Sequence, residues 1–151
     1  MSDLHWSWTR FDALGVHALY DILALRCRVF ILEQGAYLDP DGTDLHAWHL
    51  QGRDAAGVLQ AYLRAVDPGV KYAEPSIGRV ITAPERRRSG LGRPLMREGL
   101  RRCAAQWPDR GVRISAQARL HDFYAGLGFS AEGGGYLEDG IPHQQMVWRT
   151  R

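Results

Sequence analysis

The run Ile77-Gly78-Arg79-Val80-Ile81-Thr82, followed by Arg87-Arg88-Ser89-Gly90-Leu91-Gly92 and a long amphipathic stretch, constrains this chain more than any other. It predicts a strand, a basic glycine-containing turn and a helix start, in that order. First-turn amides of a helix have no intrahelical acceptor, and the helix dipole favours negative charge beside them. Glycines at alternate positions let the backbone approach a phosphate closely. Leu91, Leu95, Met96, Leu100, Cys103 and Trp107 share one broad face of the helix predicted from Gly90 to Gln106. Pro94 is tolerated only in the first turn, so it pins the helix start beside the glycines. The combination predicts an anion site without yet naming a reaction.

The flanking sequence supplies the rest of a mixed sheet. His5 to Arg10 has period-two character and reads as a strand. Phe11-Asp12 offers a cap to a helix from about Ala13 to Ile31, with Gly15 pushing its first turn towards Val16. Leu45 to Leu50 and Gly57 to Val66 read as a hairpin, and Val112 to Gln117 alternates as a strand. Ala118 to Leu127 predicts a short helix ended by a left-handed Gly128. Phe129 to Leu137 and Gln144 to Trp148 read as terminal strands around a Glu138–Pro142 turn. The strand-helix-strand alternation predicts an α/β fold with helices on the faces of a mixed sheet. With 151 residues and neither an internal repeat nor a linker, one domain over 1–151 is expected.

Composition excludes more than it selects. A formal net charge of +2 is too small for a basic stripe, so no nucleic-acid partner is expected. Arginine dominates over lysine, which suits bidentate phosphate contacts. Cys27 and Cys103 both fall in predicted helices. Without a paired cysteine motif, a secretory signal or a membrane-length apolar run, a reduced cytoplasmic chain with no membrane partner is expected. The 33–44 segment carries Glu33, Asp39, Asp41 and Asp44. It reads either as a solvated connection or as an acidic rim that attracts a cationic amine. His46 and His49 fall on opposite faces of a strand-like run, and no other cluster has ligand spacing, so no metal is expected. No lysine follows the glycines as a nucleotide P-loop requires.

Arg87-x-x-Gly90-x-Gly92 after an apolar strand resembles the acyl-CoA pyrophosphate loop of the GNAT superfamily of N-acetyltransferases. Leu120-His121-Asp122-Phe123-Tyr124-Ala125-Gly126-Leu127-Gly128-Phe129 resembles that superfamily's later helix. Narrower matches to the ElaA-like branch are Leu25-Arg26 with Val29-Phe30 and Glu33-Gln34, Tyr37 with Asp41-Gly42, Ala61-Tyr62-Leu63-Arg64, Ile77-Gly78-Arg79-Val80 and Glu138-Asp139-Gly140-Ile141-Pro142-His143. The resemblance implies a mixed, mostly antiparallel central sheet with helices on both faces. It also implies direct transfer of an acetyl group from acetyl-CoA to an amine while both are bound. The amides of Arg88, Ser89, Gly90, Leu91, Gly92 and Arg93 would hold the pyrophosphate, with a side-chain contact from Arg87 or Arg88. Val80, Ile81 and Thr82 would pair with the pantetheine arm where their strand splays from a parallel neighbour, and one amide would polarise the thioester carbonyl. Tyr124 matches the tyrosine that contacts the cofactor and protonates the departing thiolate.

The acceptor is an ammonium at neutral pH and must lose a proton first. Many superfamily members keep a carboxylate on or just before the strand leading to the loop. Here that strand has Gly78 and Arg79, with Glu74 only in the preceding loop. Other candidates for the base are Glu33, His46, His49, Glu138 and His143, of which His143 and Glu33 are carried forward with Tyr124 as catalytic residues. A histidine has the better unperturbed pKa for the task. Arg79 is expected to face a carboxylate or the cofactor. The reading is an acetyl-CoA-dependent N-acetyltransferase acting on a small-molecule, peptide or protein amine; the alternative is a non-catalytic acyl-CoA-binding or sensing module. A monomer, or a homodimer through an uncovered sheet edge, is expected.

Overall fold

Strand β3 (Leu59–Val66) is buried along its whole length, as a central strand covered on both faces must be. In this computed structural model, which describes residues 3–31 and 38–150, four antiparallel strands form one sheet. Their order is β1 (His5–Arg10), β2 (Ala47–Arg53), β3 and β4 (Ser76–Thr82). Tyr62 of β3 packs with Ile22, Leu25 and Val29 beneath helix α1 (Val16–Arg26). Its neighbour Leu63 packs with Leu95, Met96 and Leu100 of helix α2 (Gly92–Gln106). Adjacent strand residues point to opposite faces, so the two helices cover both sides of the sheet. Strands β5 (Val112–Gln117), β6 (Ser130–Glu138) and β7 (Ile141–Trp148) form a second antiparallel sheet with β7 in the middle. Helix α3 (His121–Ala125) follows β5.

Several element ends differ from the sequence expectation for local reasons. Asp12 does not cap α1: Phe11–Ala13 is a separate 3₁₀ turn, and Gly15 at φ +79° breaks the chain before the helix starts at Val16. The last turn of that helix widens to a π-helical stretch, Cys27–Ile31. Ala118–Leu120 is 3₁₀ and only His121–Ala125 is α-helical, with Gly128 at φ +102° closing the segment. Strand β7 begins at Ile141 rather than Gln144. Asp139 and Gly140 at φ +52° and +76° make a two-residue hairpin turn, which sets Ile141 directly opposite Glu138.

The two sheets meet where β4 and β5 start. The Arg113 amide donates to the Pro75 carbonyl at 3.0 Å, and the Arg113 guanidinium pairs with Glu74 at 2.9 Å. Both strands leave this pinned end in the same direction, joined by the α2 crossover. Further along, β4 bulges: Tyr62 pairs with Ile81 and Arg64 with Gly78, so Leu63 faces both Arg79 and Val80. Arg79 itself takes φ +50°. Beyond the bulge the strands are not hydrogen-bonded to each other, and a cavity of about 1010 Å³ lies between them. Among the described residues, no helix is long and apolar enough to cross a membrane.

Candidate active site

The cavity wall on one side is β4, lined from Ile77 to Thr82, and on the other β5, through Ile114, Ser115 and Gln117. Because β4 is the last strand of its sheet, its outer edge carries backbone donors and acceptors towards this space. The basic turn lies beyond the end of β4. After a 3₁₀ turn, Pro84–Arg86, the amides of Arg87 and Ser89 donate back to Pro84 and Arg86 carbonyls. Arg88 at φ +67° and Gly90 at φ +77° are left-handed, and Leu91 returns to the right-handed region. Left-handed residues alternating in this way are the backbone pattern of a turn whose amides can converge, here at the start of α2. Arg88, Ser89 and Gly90 are exposed there, and the Arg87 side chain reaches the cavity. The Arg93 guanidinium lies 5.5 Å from the Phe123 ring centre, which ties the turn to α3.

Tyr124 follows on α3 and lines the same cavity. Its ring packs edge-on between Phe123 and Phe129, at 5.2 and 5.6 Å between centres. Burial raises its phenol pKa above the ordinary tyrosine value. The group is therefore a protonated donor at neutral pH, fixed in direction by its aromatic neighbours.

His143 lines the cavity from β7 and is buried. Its Nδ1 lies 2.7 Å from the Ile141 carbonyl, an acceptor only, so Nδ1 carries the proton. In the neutral ring the lone pair is then on Nε2. Glu138 Oε2 stands 3.5 Å from that nitrogen, and the Tyr136 ring stacks on the imidazole at 6.3 Å. Ser115 Oγ donates to Glu138 Oε1 at 3.1 Å and lies 2.6 Å from the Tyr136 hydroxyl. Glu138, one of the candidate bases by sequence, closes β6 rather than sitting in the turn, and it stands beside His143. The two-residue hairpin brings it opposite Ile141, within reach of the histidine two residues further on.

The acidic-rim reading of the 33–44 segment fails for the carboxylates described. Asp39, Asp41 and Asp44 belong to an ion network with three arginines. Arg26 binds Asp39 and Asp44 at 2.8 Å each, Arg64 binds Asp41 at 2.9 Å and Asp44 at 3.0 Å, and Arg79 binds Asp39 at 2.9 Å. Three cations neutralise three anions, so little field is left to attract an amine. For Asp44, burial pushes the carboxyl pKa up, but the hydrogen bond and charge of Arg26, followed by those of Arg64, outweigh it and hold the value low. Arg79 faces a carboxylate as expected: its guanidinium also donates to the Asp39 carbonyl at 3.0 Å, so the 38–44 segment grips the β4 bulge. The signals available in the sequence were Arg26 in an apolar helical stripe and Arg64 in the apolar-rich run Gly57 to Val66, charges that need partners when buried.

The remaining candidates separate cleanly. Glu33 lies outside the described residues. His46 is exposed at the end of a 3₁₀ turn rather than in β2. His49 is buried between the Tyr62 hydroxyl at 2.6 Å and the Asp44 carbonyl at 3.0 Å. Burial lowers its pKa, so it is a neutral, fully bonded core histidine and not the base. No His, Cys, Asp and Glu cluster among the described residues has the geometry of a metal site.

Residues 51–150 match the family model described as an Acetyltransferase (GNAT) domain. A UPF0039 protein of Synechocystis is 42% identical over 149 residues, covering 98% of this chain and 97% of that one. Protein ElaA of Escherichia coli is 38% identical over 149 residues, covering 95% of each. Its crystal structure superposes with a TM-score of 0.89, over 97% of this chain and 99% of that one, at 37% identity. An acyl-CoA N-acyltransferase from Pseudomonas aeruginosa superposes with a TM-score of 0.90, over 96% and 99%, at 39% identity.

Proposed function

This chain belongs to the GNAT acetyltransferase family, and from that premise we propose that it is an acetyl-CoA-dependent N-acetyltransferase acting on a primary amine by direct attack with both substrates bound. The observation that carries the reading is one cavity bounded by an open strand edge and reached by Arg87, Tyr124 and His143. Its residues fit acyl-CoA. The left-handed alternation at Arg88 and Gly90 offers a pyrophosphate the amides of Gly90, Leu91, Gly92 and Arg93, the expected Ser89 amide being taken by the Arg86 carbonyl, with Arg87 and Arg88 as cationic side chains. The free edge of β4 at Val80, Ile81 and Thr82 offers strand-like pairing to an extended amide-bearing arm. Bound there, acetyl-CoA supplies an activated thioester acetyl group.

The protein's own groups then move two protons. His143 Nε2 takes a proton from the incoming ammonium, and Glu138 at 3.5 Å stabilises the imidazolium that results. Tyr124 gives its phenolic proton to the leaving sulfur. The pairing of His143 with Glu138 takes the place of the missing strand carboxylate, which favours an enzyme over a non-catalytic sensor.

The test is acetyl-CoA-dependent thiol release across a panel of small amines, polyamines and peptides. Turnover with at least one acceptor is expected, and His143→Gln should lower kcat about a hundredfold or more. Tight acetyl-CoA binding with no turnover on any acceptor would establish the sensor instead.

A further inference from the structure

Of the nineteen lysines and arginines in this chain, eighteen are arginine, and the single lysine is Lys71. It does not sit at random. Lys71 lies in the loop before β4 and lines the same cavity as Tyr124, Glu138 and His143. Among the described residues its ammonium has no hydrogen bond or ion pair, and it lies over the Tyr72 ring, 5.5 Å from the ring centre. Every arginine of the buried network is, by contrast, held by carboxylates. For binding an anion a guanidinium is the better fork, and this chain uses it everywhere else. What an amine has and a guanidinium lacks is a lone pair on ready loss of a proton. Lys71 is exposed in area yet walled by the cavity. Burial, partly offset by Glu138 and reinforced by Arg64 and Arg79, lowers its pKa and eases that loss.

We propose that Lys71 is an internal acceptor: the enzyme acetylates its own Lys71 from bound acetyl-CoA, and so places N-acetyllysine in the wall of its acceptor cavity. The inference rests on the acyl-transfer reading above. In the step, the neutral Nζ forms the new N–C bond to the acetyl carbon as the C–S bond breaks. Sulfur keeps the electron pair of that bond and takes the Tyr124 proton to become the thiol. The proton lost from Nζ passes to His143 and then to solvent, which restores the phenol. The product is an uncharged amide where a cation had been.

The experiment incubates the full chain with acetyl-CoA, without added amine, and follows intact mass. A gain of one acetyl group is expected, mapped to the Lys71 peptide, at a rate independent of protein concentration. It should be absent in Lys71→Arg and roughly a hundredfold slower in Tyr124→Phe. A second readout needs no acetyl transfer. Reductive isotopic methylation of the sole lysine gives one side-chain resonance, which should shift on titration with CoA. Acetylation that persists in Lys71→Arg, or that proceeds equally in the unfolded chain, overturns the proposal, as does a resonance unmoved by CoA that still raises Tm. An absent mass gain with acetyl-CoA still raising Tm overturns self-acetylation alone. No Tm shift with acetyl-CoA removes the acyl-CoA reading as well.

Discussion

Tyr124 shows how surroundings suit one hydroxyl to the proton donation proposed for it. Burial between Phe123 and Phe129 raises its pKa, so the acid form that must donate a proton survives beyond the ordinary tyrosine range near 10. Activity that needs this proton is full below the raised pKa and falls as pH rises through it. Tyr124→Phe should therefore lower kcat about a hundredfold and remove the alkaline fall of the pH–rate profile, read from steady-state rates across alkaline pH. The cysteines are separated by the same physics. Cys103 is buried and its thiol pKa is pushed up to about 12, whereas Cys27 is exposed. A disulfide-exchange reagent should label one thiol in the native protein and two after unfolding. Rapid labelling of both in the native state would contradict the packing of Cys103 on the buried face of α2. Motifs put Tyr124 and His143 forward, and both line the cavity, but nothing in those motifs paired His143 with Glu138. Glu138 and His143 lie five residues apart, and only the hairpin turn at Asp139-Gly140 brings their side chains together.

The turn between β4 and α2 is the element in which backbone conformation bears most directly on the binding proposed. Gly90 holds φ +77° in open space, so an added methyl group meets no neighbour and acts only through backbone strain. A left-handed non-glycine residue costs about 1–2 kcal/mol. Gly90→Ala should cost about that much stability if the turn is kept, or raise the KM for acetyl-CoA if the turn relaxes. Chemical denaturation with acetyl-CoA saturation kinetics on the same variant separates the two outcomes. Gly99 in the following helix works by space instead: a Cβ there would lie 2.8 Å from Leu63 Cδ2, so its absence lets α2 settle on β3. The strand-turn-helix order was legible in the sequence because period, proline position and glycine spacing are local. The bulge at Arg79 was not. It depends on the register with β3 and on Asp39, forty residues away, holding the guanidinium.

The whole molecule is two antiparallel sheets hinged at the starts of β4 and β5, with the buried arginine–aspartate network bracing one side of the cleft. The network makes stability depend on pH in a defined sense. Asp44 has a folded pKa below its unfolded value, so its contribution is present above the usual aspartate range and is lost as pH falls through the lowered pKa. Denaturant melts should show stability declining below about pH 4. Asp44→Asn should flatten that decline and cost about 3–5 kcal/mol at neutral pH, because Arg26 and Arg64 each lose a buried counter-charge. A cost near zero would mean that solvent screens the network. By itself the sequence determined the strand-helix-strand core, the glycine-containing turn before α2 and the GNAT acetyltransferase family, because these rest on contiguous patterns read within a few residues. Tertiary structure alone decided the rest: that Asp39, Asp41 and Asp44 neutralise arginines, that His49 is core, and that His143 and the sole lysine line one cavity. Charge and proton transfer depend on distances across the fold, and those are set only when strands far apart in the chain pair in register.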